Sequence, residues 1–459
     1  MVGSGKVISR RVSSSGTADL LALQSADPDY YPFFLCSSAN GTTEGRYDIL
    51  MAAPGEELSL DESYQLHGDD SLTNDSRFLE ALDRAWMREE VEPDPEFTLP
   101  FSGGWFVFLA YELATQIERV LDLGAHPDLP VAFAVRIPAA IVFDHLSGET
   151  WLVCEPGCSH ELERMQADLA NAGKVPVPEH VHFEKLIEDD PQPYLDAVVK
   201  VKQHITAGDI YQANLARAWQ ADLDEAVPPE QLFARLIRSN PGPFSALARW
   251  KDTWILSSSP ERLVSTSQGV VQTRPIAGTR PRGTNPEDDA ALMEELISHP
   301  KERAEHVMLI DLERNDLGRV CQAGTVEVDE YMVLESYAHV HHIVSNVRGN
   351  LMPDVTPGKV IAAVFPGGTI TGCPKVRCMQ IIRELESGPR GAYTGSLGYL
   401  NRDGSMDLNI LIRTLVQKGR HLSFSAGAGI VSDSIPVSEL QETRAKAKGL
   451  VRALVNTDD

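Results

Sequence analysis

The chain has 459 residues, 42% hydrophobic and 23% charged, with a formal net charge of -25. That composition can bury a sizeable core, and the length suits one or two closely packed domains. The acidity argues against a nucleic-acid partner, which needs clustered Lys and Arg, and no stretch approaches the roughly 20 apolar residues of a membrane span.

From the N-terminus, MVGSGKVISRRVSSSG carries Arg and Ser but no apolar centre, so it does not read as a secretory signal. Turn-rich stretches such as SSANGTTEGR and APGEELSLDE separate short apolar runs. YDILMAAP, WFVFLAYEL and VAFAVRIPAAIVFD read as strands, or as a strand running into a helix, from their β-branched and aromatic content. A polar, Pro-containing passage from Gly173 to Pro193 looks like a seam between an N-terminal region, 1–180, and a second region, 190–455. PQPYLDAVVKVKQHITAG has helical spacing and a glycine stop at Gly208. DIYQANLARAWQADL alternates like a strand. Helices are expected from Pro300 to about Leu312, with Pro in the first turn, and from Pro436 to Val455. Cys36, Cys154, Cys158, Cys321, Cys373 and Cys378 are too sparse and irregular for a zinc site. They read as reduced thiols of a cytosolic protein.

Several residue patterns could carry chemistry. Glu302 and Glu305 lie three apart on one expected helix, and Glu439 and Glu442 on another, so each pair shares a face. Facing each other, the two pairs would suit Mg2+, although helical carboxylate pairs are more often solvated. The turns PIAGTRPRG, FPGGTITGCPK and SAGAGIVSDS could offer backbone N–H groups to an anion, but none has the spacing of a P-loop or dinucleotide fingerprint. Arg413, Lys375 and Lys446 could hold an anionic substrate; Arg413 interrupts an apolar run where an unpaired guanidinium would be costly. Glu261 and His342 are candidate proton-transfer groups beside apolar neighbours.

Together, SSSPERLV, TRPIAGTRPRG, RAEHVMLIDLERNDLGRV, FPGGTITGCPKVRCMQII, GSLGYLNRDGSMDLNILIRTL and GAGIVSDSIPVSELQETRAKAKG resemble, in order, the chorismate-utilising enzymes. That family includes anthranilate, aminodeoxychorismate, isochorismate and salicylate synthases. The resemblance implies an α+β fold of two large, mainly antiparallel sheets packed face to face with helices outside. It implies Mg2+ held by Glu305, Glu439 and Glu442 against the ring carboxylate of chorismate, and Glu261 as the acid that protonates the leaving C4 hydroxyl. His342 and Thr369 would lie near the ring. Arg413, Tyr399, Lys446 and the backbone of Gly427, Ala428 and Gly429 would hold the enolpyruvyl carboxylate.

The family branches differ at a few positions. Isochorismate and salicylate synthases resemble each other in a water-activating lysine where IYQANLAR has Gln212, which cannot act as a base. Ammonia is then the implied nucleophile, supplied by a glutaminase on a separate polypeptide. IYQANLARAW and NPGPFSALARW look like aminodeoxychorismate synthase, implying 4-amino-4-deoxychorismate for folate synthesis; anthranilate is the alternative product, and a weakly active scaffold that activates a glutaminase is the non-enzyme alternative. PIAGT, with Ala277 before Gly278 and Thr279, is the departure, because one group of aminodeoxychorismate synthases has a covalently reacting lysine there. FFLCSSAN lacks the glutamate of the tryptophan feedback motif, leaving Ser38 as one candidate contact for a structural tryptophan.

Overall fold

The computed structural model of the chain describes residues 6–12, 16–38, 45–74, 77–178, 181–336 and 340–455. Ala39 and Asn40, which close the FFLCSSAN stretch, lie outside the described residues. Two large antiparallel sheets pack face to face, with helices covering their outer faces, as the α+β expectation required.

The first sheet has twelve strands among the described residues. It runs from Ile8–Val12 at one edge, through Phe33–Cys36, Phe244–Trp250 and Thr253–Ser259, to His421–Ile430 and Gln212–Asp222. The second has eleven, from Ile276–Pro281 through Val340–Asn350, Arg262–Ser267 and Ser396–Asn401 to Gly104–Leu109 and Ala132–Ile137. Strands from 1–180 and from 190–455 share both sheets. Phe33–Cys36 pairs with Phe244–Trp250 in the first, and Gly104–Leu109 pairs with Ser396–Asn401 in the second.

Strand alternation explains how the sheets bury both faces. Along Gly104–Leu109, Phe106 and Phe108 point between the sheets, while Trp105, Val107 and Leu109 point to the helices outside. Phe106 stacks on Phe33 of the opposite sheet at 3.8 Å between ring centroids, and Phe133 stacks on Trp250 at 4.2 Å. Aromatic burial of this kind contributes about 1.5–3 kcal/mol per side chain before entropy is charged.

The expected elements appear with small changes. Pro191–Ala207 is a helix capped by Gly208 in the left-handed conformation, at φ 81°, which glycine adopts without a Cβ penalty. The VAFAVRIPAAIVFD run is two strands, Ala132–Ile137 and Ala139–Asp144, divided at Pro138. The acidic helix runs Pro300–Gly318, longer than expected, because Glu313, Asp316 and Leu317 continue its buried face. All six cysteines are unpaired. No helix among the described residues is long and apolar enough to cross a membrane.

Candidate active site

Four elements converge from opposite sides. The acidic helix carries Glu302 and Glu305, the C-terminal helix Pro436–Leu454 carries Glu439, Glu442 and Lys446, and Gln212–Asp222 pairs with the glycine-bearing strand His421–Ile430. Proline in the first turn starts both helices without wasting a backbone donor.

The carboxylates face one another but are held by different partners. Gln212 Nε2 donates to Glu305 Oε1 at 3.4 Å, Glu302 pairs with Arg280 at 3.2 Å, and Lys446 holds Glu442 at 2.8 Å. Burial, then the neighbouring Glu302 and Glu442, raise the Glu305 carboxyl above its usual range; burial and Glu442 raise Glu439. Buried Glu439 Oε2 has no hydrogen-bond partner. Among the described residues no three His, Cys, Asp or Glu side chains converge closely enough to grip a metal. The donor set still fits a hard divalent cation: it is all oxygen, mutually repelling, and includes an orphaned buried carboxylate oxygen.

The glycine strand forms the opposite wall. A Cβ on Gly427 would lie 2.5 Å from Asn214 Oδ1 and 2.6 Å from both Leu215 O and Tyr393 Oη; one on Gly429 would lie 2.5 Å from Gln212 Nε2. Those two positions therefore hold glycine so that the polar groups can approach the strand. Ala428 alternates to the other face and packs among Leu215, Val198 and Ile381. It can offer the site only its backbone.

Tyr393, absent from the sequence expectations, takes the place expected of Tyr399. Tyr399 packs between the sheets, edge-on to Phe101 and paired across the strands with Phe106 and Asp407. Tyr393 is set by Arg390, which binds Glu386, Asn214 O, Ile370 O and Thr394 Oγ1. Both tyrosines lie in GAYTGSLGYL; Tyr393 sits in the turn before strand Ser396–Asn401 and Tyr399 within it, with Thr394 between them in the left-handed region at φ 61°.

Glu261 closes the third side. It is 6% exposed, burial pushes its carboxyl up to about 7, and its Oε1 lacks a partner. Thr369 lies nearby and, with the charges of Lys446 and Arg413, moderates the shift. Arg413 sits in the left-handed region at φ 53°, between strands, a strained conformation that packed structure must impose. Its guanidinium has no hydrogen-bond or ion-pair partner among the described residues; burial opposes its charge and Glu261 supports it. His342 Nδ1 lies 3.0 Å from Thr279 Oγ1 and 3.4 Å from Gly278 O. Burial, then Arg413, push its pKa down to about 4, so the imidazole is neutral at pH 7. Ala277 is buried one residue before Gly278.

One candidate substrate anchor lies elsewhere, and Ser38, a candidate tryptophan contact, sits apart from the carboxylates. Lys375 is tied to Asp316 at 2.6 Å and to Val364 O at 2.9 Å, a structural link that leaves it unsuited to a substrate. The Ser38 hydroxyl is engaged by Gly242 N, Gly242 O and Ser245 Oγ, away from the carboxylates. An open cavity of about 590 Å³ on the outer side of the acidic helix is lined by Val307, Asp311 and Tyr331 and includes none of the converging residues.

Five buried oxygens around the cleft have no partner: Gln212 Oε1, Asn214 Oδ1, Glu261 Oε1, Thr369 Oγ1 and Glu439 Oε2. Such a concentration is expensive unless a ligand completes it. Residues 31–452 match the chorismate binding enzyme family. The chain belongs to that family. It is 45% identical over 361 residues to an anthranilate synthase component I-like protein of Synechocystis sp., covering 78% of this chain and 73% of that one. It is 39% identical over 435 residues to aminodeoxychorismate synthase component 1 of Bacillus subtilis, covering 92% and 91%. The crystal structure of anthranilate synthase component I from Streptococcus pneumoniae superposes with a TM-score of 0.78 at 30% identity, covering 90% of this chain and 93% of that one. The cleft is thus that of a chorismate-utilising enzyme, and relatives of two different reactions flank it.

Proposed function

We propose that the chain aminates chorismate at C4 to 4-amino-4-deoxychorismate, using ammonia from a separate glutaminase subunit. The observation that carries this reading is Gln212. A neutral amide, with one bond to Glu305 and an unpartnered Oε1, stands where the water-using branches place a lysine base. It can accept an N–H of ammonia but cannot deprotonate water.

Arg413 and Tyr393 bind a substrate carboxylate beside the glycine strand, and the planar guanidinium fork suits that group. Neutral His342 orients the ring face by hydrogen bonding. Glu261 is the acid for the departing hydroxyl; a carboxyl at about 7 is protonated on the acid side, so turnover falls as pH rises through about 7. Glu305, Glu439 and Glu442 would hold Mg2+, which supplies charge neutralisation for the second carboxylate of chorismate.

Anthranilate formation is the second reading. Ala277 and the Synechocystis relative favour it. Incubating the chain with chorismate, Mg2+ and ammonium chloride at mildly alkaline pH separates the two. Aminodeoxychorismate, converted to p-aminobenzoate only on adding the lyase, is expected. Fluorescent anthranilate without lyase would overturn the first reading, and Glu261→Gln should abolish either product.

A further inference from the structure

The turn that carries Tyr393 is gripped by residues from the N-terminal region. Strand Gly104–Leu109 is followed by a single helical turn, Tyr111–Leu113, whose first two side chains are buried against Arg390 and Gly391. Glu112, 1% exposed, accepts the backbone N–H of Arg390 at 2.7 Å on Oε1, and that of Gly391 at 3.2 Å on Oε1 and 3.1 Å on Oε2. In return Tyr111 N donates to Gly391 O at 3.0 Å. Arg390 Cζ lies 4.7 Å from the Tyr111 ring centroid and 5.5 Å from that of Tyr393, so one cation meets both rings. Gly391 is in the left-handed region at φ 58°, and a Cβ there would lie 2.9 Å from the His126 ring. The turn is thus closely packed from two sides, at a position only glycine fits.

We propose that Glu112 and Tyr111 are positioning residues for the substrate: they clamp Arg390–Gly391 and thereby hold the Tyr393 hydroxyl at the glycine wall. The inference rests on Tyr393 meeting the substrate carboxylate in the reaction proposed above.

The path from clamp to cleft is short and made of direct contacts. Tyr393 N donates to Arg390 O at 3.1 Å, and Thr394 N to Leu411 O at 2.7 Å, so the backbone is pinned on either side of the tyrosine. Tyr393 Oη then lies 2.6 Å from where a Cβ on Gly427 would be. The Arg390 guanidinium faces the other way. Its Nη2 donates to Asn214 O at 2.7 Å and to Glu386 Oε1 at 2.6 Å, and Glu386 Oε1 also accepts Ala216 N at 2.9 Å. Arg390 therefore keys the turn to strand Gln212–Asp222, while Glu112 and Tyr111 fix the backbone and the flat face of the same residue.

The clamp needs a carboxylate. Burial pushes the Glu112 carboxyl up to about 7, with the Gly391 and Arg390 N–H groups and the Arg390 charge opposing the rise. Once ionised it offers two acceptor oxygens to two N–H groups, in bonds stronger than those between neutral partners. Glu112→Gln keeps one acceptor and turns an N–H2 group toward a backbone N–H. The turn is then free to shift relative to Gly427, while the strand before it keeps its sheet pairing on both sides.

The test is a double-mutant cycle in the full chain at pH 8, following chorismate consumption at saturating ammonium and Mg2+, with urea unfolding of each variant alongside. Glu112→Gln is expected to raise KM for chorismate by about two- to tenfold, no more than Tyr393→Phe does, with kcat within about twofold. In the Tyr393→Phe background the same change should cost less than about twofold, because the hydroxyl it positions is gone. Equal KM penalties in both backgrounds overturn the proposal, and so does a fall in kcat at unchanged KM, the sign of fewer folded molecules. Tyr111→Leu, which takes the ring from Arg390, should repeat the pattern. Tyr111→Phe removes only a buried hydroxyl without a hydrogen-bond partner and should match wild type; a penalty as large as that of Tyr111→Leu overturns the ring's part in the clamp. Chorismate consumption reads the cycle whichever product forms, so the identity of the product, settled by the lyase assay, stands or falls separately.

Discussion

The two walls of the cleft are built on opposite principles. The glycine wall is fixed by sterics: Gly427 and Gly429 leave no room for a Cβ, and Tyr393 and Asn214 occupy the space released. The carboxylate wall is fixed by nothing comparable. Glu305, Glu439 and Glu442 repel one another, with Gln212 donating to Glu305 and Lys446 partly neutralising Glu442, and come from two separate helices. One wall is organised before anything binds; the other would need the proposed cation to complete it. Such a division places shape selection on the rigid side and charge-dependent assembly on the adaptable side.

The comparison can be broken most severely at Gly427. Gly427→Ala should cut kcat/KM by about 100-fold or more, because displacement of reacting groups by about 1 Å has that cost. It should also lower stability by about 1–3 kcal/mol from overpacking, measurable by urea unfolding. Arg413→Met tests whether the rigid wall holds stored cost. Steady-state kinetics should show a loss of about 10–100-fold through KM, the worth of a charged hydrogen-bond pair, while thermal unfolding shows a gain of about 1 kcal/mol from removing an unpaired buried charge.

The adaptable wall should answer to metal instead. Millimolar Mg2+ is expected to raise the Tm of wild type, since a ligand at about 100 times its Kd stabilises by about 2.7 kcal/mol. Glu439→Gln should raise the metal-free Tm slightly and abolish most of the Mg2+ response. An equal response in both proteins would remove Glu439 from the metal set. The smallest effect sharpens the rigid wall. Tyr393→Phe should cost about 2–10-fold in kcat/KM, one neutral hydrogen bond, whereas Tyr399→Phe should stay within about twofold.

The sequence was most legible where periodicity and chemistry coincide. Glu302, Glu305, Glu439 and Glu442 follow from i,i+3 spacing on helices whose prolines mark their starts, and the sheets follow from runs such as WFVFLAYEL. It was least legible where a choice depends on a contact distant in the chain. Tyr393 and Tyr399 are six residues apart in a similar local sequence, yet one lies in the turn beside Gly427 and the other in a strand between the sheets. Lys375 looked like a substrate cation because Asp316, which claims it, lies 59 residues earlier. Asn214 was visible beside Gln212, with the same face implied by strand alternation, and that signal could have found it.

The sharing of both sheets by early and late segments bears on how the chain is made. Gly104–Leu109 needs Ser396–Asn401 beside it, and Ser102 N bonds Asn401 Oδ1 across 299 residues of sequence. At usual synthesis rates of roughly 5–20 residues per second, the earlier strand leaves the ribosome about 15–60 s before its neighbour exists. Through that interval a strand whose native place is inside a sheet, paired on one side with Ala132–Ile137, waits with its other hydrogen-bonding edge and its Trp and Phe side chains uncovered, open to other nascent chains. The catalytic cleft is assembled from segments released at the end of that wait, so no truncated product acquires activity, and expression yield should depend on holdase capacity during translation.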